Sequence, residues 1–437
     1  MKDEVLIIGG GLAGSEAAWQ LAKRGVRVKL IEMKPRSYTP AHRLPYLAEL
    51  VCSNSFGSRK DTAAISLLQD ELSMLGSLII ESAKASSVPA GKALAVDRER
   101  FSIYITRKLQ THPLIEIVVE EMEDVPDGIV IIATGPLTTE KFKNSLKRFI
   151  SADYLHFFDA VSPLVEASSI NWSKVFWASR YSDDGDYVNC PFTEEEYIRF
   201  WKALKDAEVA YRHSFDEKVY FEACLPVEVM AKRGKDTLRY GPMKPVGIVN
   251  PVTGKMPYAV VQLRRDDAAE TLFNMVGFQT GLKWSEQKRV FRMIPGLENA
   301  VFERYGVVHL NFFVNAPVVL EKSLQLKSSG RIFLAGQITG VEGYLPSTAM
   351  GFVAGVNAYA LVKGMSPYIF PDVTIIGSLL RYITTPTKRF QPMNANWGIL
   401  PPLDKKVRDR QMRRLLLRER ALSALYRFAE DSGLLGL

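Results

Sequence analysis

Cysteine is scarce in this chain: Cys52, Cys190 and Cys224 are the only three among 437 residues. An odd number at wide spacing excludes a disulfide framework and fits thiols kept reduced in the cytoplasm. Histidine is equally sparse, and His42, His112, His156, His213 and His309 stand at no ligand-like spacing to the cysteines, so no metal is expected. Apolar runs stop short of the roughly 18 to 20 residues that a membrane span needs. The start, Met1-Lys2-Asp3-Glu4, leads straight into a strand-like run without a signal-peptide pattern. Tandem repeats and low-complexity tracts are missing as well. The expectation is a cytoplasmic globular protein with no membrane association and no evident obligate protein partner.

What is present supports two lobes. A hydrophobic share of 47% over this length is ample for more than one core. The formal charge of +8 is unevenly spread: Asp404 to Arg427 holds nine Lys or Arg against three acids, leaving only +2 on the rest. A basic tail on a near-neutral body points to a polyanionic partner. In that tail Met412, Leu415, Leu416, Leu422 and Leu425 recur at helical spacing among Arg408, Arg410, Arg413, Arg414, Arg418 and Arg420. By itself the pattern fits a docked surface helix as well as an RNA contact.

The opening reads as strand, tight turn, helix and strand. Val5 to Ile8 is followed by Gly9-Gly10-Gly11-Leu12-Ala13-Gly14, a helical stretch from Ser15 to Arg24, and the run Val26 to Ile31 that ends at Glu32. Gly9-x-Gly11-x-x-Gly14 in this βαβ setting is a dinucleotide fingerprint. The first glycine permits the turn, the second admits a pyrophosphate against backbone, and the third lets helix and strand touch. Glu32 can accept bonds from a ribose diol. Two further apolar runs, Ile129 to Ile132 and Ile332 to Leu334, end in Ala133-Thr134-Gly135 and Ala335-Gly336. Unalternated runs of this kind suit parallel strands covered on both faces.

The fingerprint does not separate FAD from NAD. The two later strand ends resemble the FAD-contacting segments of the glutathione-reductase superfamily, and no second G-x-G-x-x-G opens a βαβ unit, so no dedicated NAD(P)H domain is expected. The fold class is therefore α/β: a glutathione-reductase-type FAD-binding Rossmann fold with an inserted α+β lobe. The expected division is 1–150 with 331–437 for FAD, and 151–330 for the aromatic-rich insertion. After Gly343-Tyr344 a helix is expected from Pro346 to Leu361, with Ser347, Gly351 and Gly355 on one face so that it can lie close to a sheet or a flat ligand.

Several longer stretches carry a family resemblance. They are Ser15-Glu16-Ala17-Ala18-Trp19 after the fingerprint, Thr39-Pro40-Ala41-His42, Val51-Cys52-Ser53-Asn54-Ser55, Val88-Pro89-Ala90-Gly91, Leu94-Ala95-Val96-Asp97-Arg98 and Ala133 to Thr138. Phe221-Glu222-Ala223-Cys224, Gly241 to Gly247, Val276 to Trp284, Gly343-Tyr344 and Gln391 to Gly398 continue the series over nearly the whole chain. Together they resemble TrmFO, the folate- and FAD-dependent tRNA (uracil-5-)-methyltransferase family; beyond Trp397 the match is loose. The resemblance implies transfer of a one-carbon unit from 5,10-methylenetetrahydrofolate to C5 of the T-loop uridine (position 54 in tRNA numbering), with FADH2 as carbon carrier and reductant and NADH or NADPH as electron source.

That chemistry gives the thiols work. Uracil C5 is a poor nucleophile until something adds to C6, and a thiolate is strongly nucleophilic at modest basicity. Cys224 is assigned as the C6 nucleophile and Cys52 as its partner near the flavin, removing the C5 proton or protecting the nucleophile; the two roles can be exchanged. Cofactor contacts are expected at Gly9, Gly10, Gly11, Leu12, Ala13, Gly14, Glu32, Thr134, Gly135, Gly336, Gly343 and Tyr344. His309 is the candidate for the outer face of the pterin, with a hydrogen-bonded strand histidine as the alternative. Arg413, Arg414 and Arg418 are the candidate tRNA contacts. The alternatives are the same chemistry on a ribosomal RNA uridine, a flavoprotein modifying the wobble uridine, a plain NAD(P)H oxidase, or a flavin-dependent RNA-binding protein without transferase activity.

Overall fold

The computed structural model describes residues 4–150, 154–180, 182–210, 225–388 and 390–435. Six strands form the first sheet, in the order Gln325–Leu326, Ser329–Leu334, Ile129–Ile132, Glu4–Ile8, Arg27–Glu32, Ile115–Val119. All pairs but the first are parallel. The β-branched runs lie at its centre: Val5, Ile7, Val130, Ile131 and Ile132 have no exposed surface, as strands covered on both faces require. Helices follow the strands as the sequence implies. The fingerprint helix is Leu12–Lys23, and Asp97 caps Arg98–Gln110 by accepting a hydrogen bond from the Arg100 N–H at 2.9 Å.

A second six-stranded sheet, ordered Phe176–Ser179, Ser182–Phe192, Ala259–Arg265, Leu272–Met275, Leu164–Glu166, Phe302–Arg304, builds the insertion. It is antiparallel, and helices Glu194–Asp206 and Trp284–Phe291 cover one face around Val261, Leu263, Phe200 and Phe291. Thr193 and Glu196 close a capping box at the start of the first of these helices. A ribbon of Tyr154–Ala160 and Val308–Val314 joins the lobes. Phe312, Phe313 and Val314 already belong to the first core, so the return to that lobe comes before residue 330, where the sequence texture changes.

The helix Tyr344–Val362 corrects one expectation and refines another. Its mean hydropathy of 1.3 over a membrane-spanning length exceeds what the apolar runs were expected to reach, yet 78% of it is buried. Its small residues divide between two neighbours: Ser347 lines the cavity at the carboxyl ends of the first sheet, whereas Gly351 and Gly355 meet another helix. A Cβ on Gly351 would stand 2.3 Å from the Ala13 carbonyl oxygen, and one on Gly355 would stand 3.0 Å from Ala17 Cα. These two glycines thus seat the helix directly on the fingerprint helix, backbone against backbone.

Glu71 offers a test of how the C-terminal segment docks. It is fully buried on Ala64–Met74 and accepts the N–H groups of Ile375 (2.7 Å) and Ile376 (3.0 Å), which open helix Ile375–Thr384. Burial outweighs those donors and pushes its carboxyl up to about 8. A raised folded-state value means that the folded chain holds a proton the unfolded chain releases above its ordinary 4.5. This stability is complete below that value and lost as pH rises through about 8. Glu71→Gln mimics the protonated form, so its melting temperature should fall less than the wild type's between pH 5 and 8. Parallel melting curves across that range would refute the assignment.

Candidate active site

One cavity of about 380 Å³ runs along the carboxyl ends of the first sheet. Its lining includes Gly9, Gly11, Leu12, Ala13, Glu32, Thr134, Gly135, Gly336, Gly343 and Tyr344, which the sequence marks as scattered motif positions. Gly10 and Gly14 do not line it. Gly10 instead donates its N–H to Glu32 Oε2 at 2.7 Å, and Lys34 N–H donates to Glu32 Oε1 at 3.0 Å. Each carboxylate oxygen keeps a further acceptor site, so Glu32 can still receive a diol.

The fit to a dinucleotide is visible at the helix start. No side chain caps Leu12–Lys23, and a Cβ on Gly11 would meet nothing within 4 Å, so the turn presents open space at a helix N-terminus. Such an end favours phosphate. Thr134, Gly135, Gly336 and Gly343 continue the wall to Cys52, Gln279 and Asn311.

Cys52 sits on a loop clamped from several sides. Its N–H donates to the Tyr344 hydroxyl at 2.9 Å, and that hydroxyl donates to the Ser53 carbonyl at 2.8 Å. Burial pushes the Tyr344 phenol well above its ordinary range, and the Cys52 charge adds to that, so it remains a neutral donor. The Cys52 carbonyl accepts from Arg98 Nη2 at 2.7 Å and from Arg304 Nη2 at 3.0 Å. Arg264 donates to Ser53 Oγ at 2.8 Å and Asn54 Oδ1 at 2.9 Å, while Asn54 Nδ2 donates to the Val96 and Arg265 carbonyls. Asp266 answers Arg98 with two bonds, at 2.7 and 3.0 Å.

Three guanidinium groups therefore back the loop with one carboxylate between them. Burial opposes the charge on Arg98, but Asp266 outweighs it and raises the guanidinium further. Arg304 has no such partner: burial, then the charge of Arg98, pull it down to about 10. Burial likewise lowers Arg264. All three feel the charge of Cys52. By contrast Cys190 is fully buried in the insertion sheet, where burial pushes its thiol far up, so it is an inert core residue.

The sequence reading missed these arginines. Arg98 lies in a stretch singled out for its resemblance, but a buried cation has no local signature, and Arg264 and Arg304 come from strands more than two hundred residues from Cys52. Cys224 lies outside the described residues. His309 stands on Val308–Val314 in register with Asp159, and its side chain is likewise outside them.

In the tail, helix Arg410–Asp431 forms, but its buried stripe is Leu417, Ala421, Leu425 and Ala429. Of the expected stripe only Leu425 is fully buried; Met412 and Leu415 are exposed, because the helix turns its other side to Ala64–Met74. Arg418 belongs to that docking. It pairs with Asp70 and, at 3.5 Å, with Asp61. Arg413 is exposed and Arg414 half-buried, and neither belongs to the buried stripe.

The parallel sheet, the uncapped helix over a glycine turn and the elongated cavity define a dinucleotide-binding flavoprotein fold of the glutathione-reductase type. A family model described as "Glucose inhibited division protein A" matches residues 4–366. A relative from Moorella thermoacetica, named methylenetetrahydrofolate–tRNA-(uracil-5-)-methyltransferase TrmFO, is 55% identical over 436 residues, covering 99% of this chain and 100% of the relative. One of the same name from Dictyoglomus thermophilum is 55% identical over 427 residues, 97% of each chain. The chain belongs to the TrmFO family within the GidA proteins. The solved structure of Aquifex aeolicus GidA aligns with a TM-score of 0.73 at 18% identity over 99% of this chain and 74% of that one, a likeness of fold.

Proposed function

We propose that this chain is a cytoplasmic enzyme that methylates C5 of the T-loop uridine, position 54, of tRNA. The one-carbon unit comes from 5,10-methylenetetrahydrofolate, and NADH or NADPH supplies electrons. FAD fits the cavity, held by the glycine turn at the pyrophosphate, Glu32 at the ribose, and Thr134, Gly135, Gly336, Gly343 and Tyr344 along its length; when bound and reduced it supplies carbon carriage and hydride. The observation that carries the reading is Cys52, a nucleophilic side chain lining the same cavity as the glycine turn.

Each residue then has a task. The hydroxyl of Tyr344 and the guanidinium groups of Arg98 and Arg304 fix the Cys52 peptide, so its sulfur is presented without a search over backbone conformers. Cys224 adds to C6 of uracil, making C5 nucleophilic, and Cys52 removes the C5 proton or protects the nucleophile. His309 covers the pterin, and Arg413 and Arg414 meet RNA phosphate; Arg418, whose charge is engaged by Asp61 and Asp70, contributes by holding the tail helix in place.

The test is product formation. Purified protein should be yellow, release FAD on denaturation, and convert unmodified tRNA to ribothymidine-containing tRNA when given methylenetetrahydrofolate and NADH. Methylation of ribosomal RNA alone, or a product changed at the wobble position, would overturn the reading.

A further inference from the structure

Trp284 is 63% exposed, unusual for the largest apolar side chain, and it is rigidly placed. Its indole stacks on Tyr305, with ring centroids 5.5 Å apart and planes 15° from parallel. Gln287, one turn further along the same helix, locks that arrangement. It accepts the Gly306 N–H at 2.8 Å and donates to the Gly306 carbonyl at 2.8 Å and the Leu282 carbonyl at 2.7 Å. A Cβ on Gly306 would stand 2.4 Å from Thr280 Cγ2 and 2.7 Å from the Val161 carbonyl, so the connection carrying Tyr305, between the strands Phe302–Arg304 and Val308–Val314, is pressed tightly in place.

This stack adjoins the candidate active site. Tyr305 follows Arg304, whose guanidinium donates to the Val51 and Cys52 carbonyls. Val161, bonded to the Val307 carbonyl at 2.9 Å, and Gln279 both line the cavity. The stretch that ends in Trp284 also anchors its neighbours: Ala210 N–H donates to Gly281 O, and Val227 N–H donates to Gln279 O, each at 2.8 Å. Next to Trp284 in the chain, Lys283 is paired with Glu208 and Arg289 with Glu286, while Lys288, four positions along the same helix, is exposed. An exposed aromatic face on a helix that also carries the exposed Lys288 is complementary to a nucleobase carried on a phosphate chain.

We infer that Trp284 is a stacking platform for an unpaired base of the RNA substrate, holding the strand that delivers the target uridine to the cavity. The inference rests on the proposed function and names a surface for it. Trp284→Ala should weaken binding of unmodified tRNA about tenfold or more, as loss of one base stack does. Trp284→Phe should bind within about threefold of wild type but lose most of the tryptophan quenching that tRNA causes. Because stacking carries no charge, the slope of log affinity against log salt should be unchanged in Trp284→Ala, whereas replacing Arg413 and Arg414 with Ala should flatten it by about 0.7 to 0.9 per contact.

FAD content and melting temperature confirm that each variant is folded. Wild-type affinity in Trp284→Ala, or a flattened slope in that variant, overturns the platform. So does a concentration-dependent dimer that Trp284→Ala abolishes while tRNA affinity stays, which would assign the face to self-association. Failure of wild type to bind tRNA sinks the proposed function together with this inference. Ribothymidine formation with unaltered Trp284→Ala affinity sinks the inference alone.

Discussion

Gly14→Val is expected to yield a colourless protein, folded poorly if at all. A Cβ at Gly14 would sit 1.9 Å from the Gly9 carbonyl oxygen and 3.3 Å from Ile7 Cγ2. The first of these contacts is with backbone and no rotamer change relieves it; the helix must withdraw from the strand. Withdrawal would also lift the fingerprint helix off Tyr344–Val362, whose Gly351 lies against Ala13, so the damage spreads to the centre of the first core. Overpacking a close-packed site typically costs 1 to 3 kcal/mol, and a backbone clash of this depth belongs at or above the upper end. Absorbance of the purified protein at flavin wavelengths and its melting temperature measure the two effects. Full FAD occupancy at a wild-type melting temperature would show that the third glycine is not a helix–strand contact.

Loss of the thiols should be as severe for turnover while leaving the fold intact. With 5-fluorouridine at the target position the C5 proton cannot be abstracted, so a wild-type enzyme that adds a thiolate to C6 should be trapped as a covalent complex with RNA. Cys224→Ala should abolish methylation and trapping with normal FAD content. Cys52→Ala should abolish turnover but still form the adduct. Its packing cost should be small, because the loop is held through main-chain groups by Tyr344, Arg98 and Arg304 and those bonds do not involve sulfur. Gel-shift under denaturing conditions reads the adduct, and nucleoside analysis reads the product. Trapping by Cys224→Ala but not by Cys52→Ala would reverse the two roles; full methylation by both variants would end the thiol mechanism.

The βαβ opening, the three parallel runs ending at Glu32, Gly135 and Gly336, and the presence of a basic C-terminal helix were legible in the order of residues. Each is set by neighbours within a few positions: glycine where backbone must bend or touch, unalternated β-branched residues where both strand faces are covered, and apolar residues at helical spacing among arginines in the tail. The resemblance carried the cysteine pair beyond that, without a contact to support it. Tertiary structure alone decided what surrounds Cys52. Arg98, Arg304 and Tyr344 reach it across 46, 252 and 292 positions, and no local period encodes a convergence of that kind. The same reason accounts for the tail helix, whose apolar residues run around more than one side: burial of Leu417, Ala421, Leu425 and Ala429 depends on which face Asp61 and Asp70 draw Arg418 toward. It also accounts for Gly351 and Gly355, since four-residue spacing of small side chains says that something lies close, and only the packed chain says that it is another helix.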